Sequence, residues 1–156
     1  MLTMPRVSKF AVVVAIGMGI AMMVIGSIFI IMGVDAKGEI TEALLKERVI
    51  TSKDAPIPGV LVEDAETARS QAAAIESHTF GRFGPFAGME QDDPNRDVYL
   101  KGLTLRNSLN LAAVGLGVGD LAVGVGAITL VLGMFLAGFA IPVHLTVMRV
   151  YRLHDG

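Results

Sequence analysis

The chain contains no cysteine and no tryptophan. Without cysteine there is no disulfide, no thioether-linked haem, no iron–sulfur cluster and no thiolate zinc site. Any segment outside a membrane must therefore hold its shape without disulfides or thiolate-bound metals. Histidine is scarce as well. His78, His144 and His154 are too scattered for one chain to bring them to a shared metal, and Glu76 and His78, two apart, do not share a helix face. Net charge is −2, so there is no basic footprint for nucleic acid. A GxSxG nucleophile elbow is missing. Gly115-Leu-Gly-Val-Gly119 fits neither dinucleotide nor P-loop spacing and has no strand before it. No catalytic, cofactor or metal residues are assigned, and the sequence reads as a non-enzyme.

Apolar residues and glycine are abundant instead: 53% hydrophobic, 18 glycines in 156 residues and a mean hydropathy of +0.61. Enriched together, they point to transmembrane helices. Phe10 to Val34 is a run of 25 uncharged residues. At 1.5 Å per residue it covers roughly 37 Å, enough for a core of about 30 Å. A signal peptide has an apolar region of only about 7–15 residues, so a retained anchor is expected. A second run, Asn107 to Met148, has Asp120 as its only charge. The sequence predicts one long helix over 107–148, with a span near 118–141 that surfaces after Pro142 and kinks there.

The flanks set the orientation. Arg6 and Lys9 precede the first span, and Arg149 and Arg152 follow the second. Residues 35–106 hold 13 acidic and 9 basic residues, a net of −4. Two short basic tails, 1–9 and 149–156, are expected in the cytoplasm, with 35–106 outside a bacterial inner membrane. The expected fold is all-α: a two-helix transmembrane hairpin with a small, mostly helical extracytoplasmic segment.

Within that segment, helices are expected near 39–50 and 63–78 and from 94 onward. Asp54-Ala-Pro-Ile-Pro-Gly59 reads as a turn and extended stretch. Ala65, Ala68, Ala72 and Ile75 recur at helical spacing. Thr79 to Gly88 reads as a glycine–aromatic loop. Asp92-Asp-Pro94 reads as an N-cap with proline at the first helical position.

Both spans carry glycine every seventh residue: Gly19, Gly26 and Gly33 in the first, Gly119, Gly126 and Gly133 in the second. Ala112 and Ala140 extend the second row, and Gly115 adds a GxxxG pair with Gly119. Seven residues are close to two turns, so each set lies on one face, where small residues let membrane helices approach closely. The expected use is glycine-face-to-glycine-face packing of the hairpin. Gly117, Ala122, Gly124 and Gly138 are spare and available for a partner.

Asp120 is the one ionisable residue inside a predicted span, which makes it a functional hypothesis by default. Three readings stand: a structural pairing with Arg106, a contact to a partner, or ion handling. Phe80, Phe83 and Phe86 around Arg82 have two readings, a small core or an exposed contact patch.

Three stretches carry a resemblance. They are Ile75-Glu-Ser-His-Thr79 closing the Ala-rich helix, Asp92-Asp-Pro-Asn-Arg96, and Tyr99-Leu-Lys-Gly-Leu-Thr-Leu-Arg-Asn-Ser-Leu-Asn-Leu111 running into a glycine-rich span. In these the chain resembles a family of small two-span membrane proteins of actinobacteria, over about half its length. Where members often have a Gly-Gly-Lys-Thr-Tyr stretch, this chain has Gly81-Arg-Phe-Gly-Pro-Phe86. Members are commonly described as aromatic ring-opening dioxygenases. Such chemistry needs iron held by a His/Glu cluster in a soluble fold, and the residues here do not supply one. The resemblance implies a topology and an inner-membrane location, with no activity attached.

The expected function is a non-catalytic accessory or structural subunit of a larger inner-membrane complex, respiratory or hydrocarbon-oxidising. Its partners would be other integral membrane subunits and the lipid bilayer. The alternatives are a self-assembling homo-oligomer and a membrane enzyme.

Overall fold

The computed structural model describes residues 4–154. Three α-helices account for most of it: α1 (Met4–Glu47), α2 (Ala65–Phe83) and α3 (Arg96–His154). A 3-10 turn, Phe86–Gly88, lies between α2 and α3. No strand forms among the described residues, where an antiparallel bridge joins Ile50 to Leu61. Two helices, α1 and α3, are long and apolar enough to cross a membrane. In each, only 11% of the most apolar stretch is buried within the chain.

Several helix boundaries differ from the sequence expectation. The separate helix near 39–50 does not exist, because α1 runs unbroken from the apolar run through Asp35-Ala-Lys-Gly-Glu39. Nothing in that stretch stops a helix except Gly38, whose missing side chain faces open space. The helix ends instead at Arg48, which takes a left-handed φ of 48°. Thr79 to Phe83 is the last turn of α2, not loop. The stop comes at Gly84 (φ 76°), followed by Pro85, which cannot extend a helix. α3 begins at Arg96, two residues after the proposed proline start. The Asp93 carboxylate accepts from the Asn95 backbone N–H at 2.7 Å, closing a turn ahead of the helix.

Helix already begins at Met4 and continues past Pro142 to His154, so 4–9 and 149–154 are helical continuations of α1 and α3. Residues 1–3 and 155–156 lie outside the described residues. So do the side chains of Arg6, Lys9, Arg152 and His154, on which part of the orientation reading rests.

The chain divides into two compact units. One contains the segments up to Gly33 and from Leu121, and the other is Val34–Asp120. The first is an antiparallel pair of apolar helices. The second has a small core of Val62, Ala68, Ala72, Ile75, Leu109 and Ala113, edged by Leu44, Val49 and Ala65. In it α2 presents alanines and short polar groups, so it lies flat on its neighbours. Its loop partner is fixed by hydrogen bonds. Gln71 Oε1 accepts from Ser52 N–H at 2.7 Å, and Ser70 Oγ accepts from Ile57 N–H at 2.8 Å. Among the described residues, no buried side-chain donor or acceptor lacks a partner, as a low-dielectric core requires.

Asp64 caps α2. Its carboxylate accepts the Thr67 backbone N–H at 2.7 Å, while Thr67 Oγ1 accepts the Asp64 N–H at 3.2 Å. The Thr67 backbone bond holds the Asp64 carboxyl below its ordinary value. The Thr67 hydroxyl and the Glu66 N–H act in the same direction, and burial opposes them. A folded-state pKa depressed in this way contributes stability above the unfolded carboxylate range. That contribution is lost as pH falls through the folded value. Asp64→Ala is expected to cost about 1 kcal/mol at neutral pH. The difference from the parent chain should shrink on acidification, as measured by hydrogen exchange across α2 at two pH values.

Candidate functional site

In the unit formed by the two apolar helices, the glycine rows meet backbone to backbone. A Cβ added at Gly26 would lie 2.6 Å from the Gly126 carbonyl oxygen, and one at Gly126 equally 2.6 Å from that of Gly26. The same reciprocity joins Gly19 and Gly133, at 2.7 and 2.6 Å. Numbers rise along α1 as they fall along α3, so the pairing is antiparallel. No side chain fits at any of the four positions, because the obstacle is backbone that cannot swing aside. Such proximity maximises dispersion contacts and permits Cα–H···O contacts, which is how apolar helices gain packing energy in lipid.

Gly33 and Gly119, the third members of each row, are also buried. Gly115 meets the Ile40 side chain, whose Cδ1 would lie 2.6 Å from an added Cβ. Gly124 and Gly138 have nothing within 4 Å. Beside Gly138 a shallow hollow of about 420 Å³ is framed by Phe135, Phe139 and Pro142, the two rings stacked at 5.9 Å.

In the Val34–Asp120 unit, Asp120 pairs with Lys37, not with the expected Arg106. Arg106 and Asp120 sit on one unbroken helix, fourteen residues and so roughly 21 Å apart. Arg106 approaches Glu76 instead, at 3.7 Å. Continuation of α1 as helix past Val34 is what brings Lys37 to Asp120. His78 Nε2 lies 2.5 Å from Asp54 Oδ2. Among the described residues no three His, Asp or Glu side chains converge as metal ligands.

The aromatic residues divide into two kinds. Phe83 and Phe86 are half-buried against the buried Tyr99, with ring centroids 6.4 and 5.5 Å from it. Arg96 sits 4.3 Å over the Phe86 ring and donates to the Met89 and Glu90 carbonyls. Phe80 is exposed, as is Arg82, which covers Phe83 at 5.3 Å. Phe83 and Phe86 thus build structure, leaving Phe80 and Arg82 turned outward.

Tyr99 as the hub was missed in sequence, although its signal was present. Tyr99, Gly102, Arg106, Leu109, Ala113 and Leu116 step by three and four, which marks one helix face. Tyr99, Leu109, Ala113 and Leu116 of that set are buried.

The same unit contains a groove of about 520 Å³ between the end of α1 and the first half of α3. Ile40, Leu44, Val49, Leu105, Ala112 and Gly115 are among its walls. A family-model scan, a search of curated proteins and a search of solved structures each find no match for this chain.

Proposed function

We propose that the chain is a non-catalytic accessory subunit of a bacterial inner-membrane complex. In this reading it crosses the membrane twice, with both termini cytoplasmic and residues 35–106 outside. It belongs with the two-span actinobacterial proteins that its sequence resembles. The observation that carries the reading is the use of its apolar helices. One face of each is locked backbone to backbone at Gly19–Gly133 and Gly26–Gly126, and the other faces are bare, with Phe10 72%, Ile128 64% and Phe139 61% exposed. A locked pair with bare apolar flanks is a scaffold suited to lipid and to neighbouring helices. Phe80 and Arg82 offer a contact surface in the outer segment, rich in the residue types that protein interfaces favour. Asp120, satisfied by Lys37, serves structure in this reading.

Purification of the tagged chain from its native membrane in mild detergent tests this, with mass spectrometry of what co-migrates. A fixed stoichiometric set of other membrane subunits is expected. A single-species oligomer of this chain alone would defeat the accessory reading. It would make the open Gly124 and Gly138 face a self-assembly surface.

A further inference from the structure

We draw no further inference here: the strongest candidate, the polar cavity at the N-terminus of α2 framed by Lys37, Thr41, Glu63, Asp64 and Asp120, carries nothing, because Lys37 pairs with Asp120, Asp64 caps α2, and among the described residues no buried side chain is left unpartnered there to point to a ligand.

Discussion

Gly126→Leu is expected to separate the two apolar helices, at a cost on the order of 3 kcal/mol or more. Gly124→Leu, two residues away, should change stability by less than about 0.5 kcal/mol. The difference follows from what each side chain would meet. At Gly126 a Cβ lies 2.6 Å from the Gly26 carbonyl oxygen and 2.9 Å from the Ile30 backbone nitrogen, whereas at Gly124 nothing lies within 4 Å. Rotamer changes relieve neither backbone contact, so the helices must move apart along their whole shared row. That movement also forfeits the Gly19–Gly133 contact. The measurement is SDS-induced unfolding in mixed micelles, followed by fluorescence transfer between dyes on cysteines introduced at Phe10 and Val143. Both sites are exposed, and the natural chain has no cysteine to interfere. Equal midpoints for the two leucine variants would show that the glycine register does not hold the helices.

Tyr99→Ala is expected to cost about 3–5 kcal/mol, the range for removing a large buried aromatic. Tyr99 is 3% exposed and is the surface on which Phe83 and Phe86 pack. Its loss frees the end of α2 and the 3-10 turn together. Hydrogen exchange over 79–99 should accelerate a hundredfold or more, since each 1.4 kcal/mol is a factor of ten in the opening equilibrium. Phe80→Ala, at an exposed ring, should leave that exchange within about threefold of the parent. It should weaken association with partner subunits if the accessory reading holds. Unchanged protection in Tyr99→Ala would mean that the aromatic residues are not the core of this segment.

The two apolar runs, the seven-residue glycine spacing and the alanine face of α2 are all periodicities along one chain. Each follows from 3.6 residues per turn, so each is legible without a fold. Helix ends were less legible because they turn on single residues. Gly84 stopped α2 where Gly81 did not, since only the former takes a positive φ, and Arg48 ended α1 in a conformation no propensity favours.

Pairings between helices lay further out of reach. Lys37 displaced Arg106 as the partner of Asp120 because α1 continued as helix. Phe83 and Phe86 were assigned inward and Phe80 outward by the placement of Tyr99.

By itself, then, the sequence determined that this chain is built from long apolar helices with a small-residue face on each. Backbone geometry converts spacing into faces with no further information. Only the tertiary structure decided which glycines are consumed, Gly19, Gly26, Gly126 and Gly133, and which stay open, Gly124 and Gly138. It alone opened an apolar groove between Ile40 and Leu105. The physical reason is that a periodicity specifies a face but not what covers it. Coverage depends on contacts between residues a hundred positions apart, and those are set by which surfaces exclude one another at van der Waals distance.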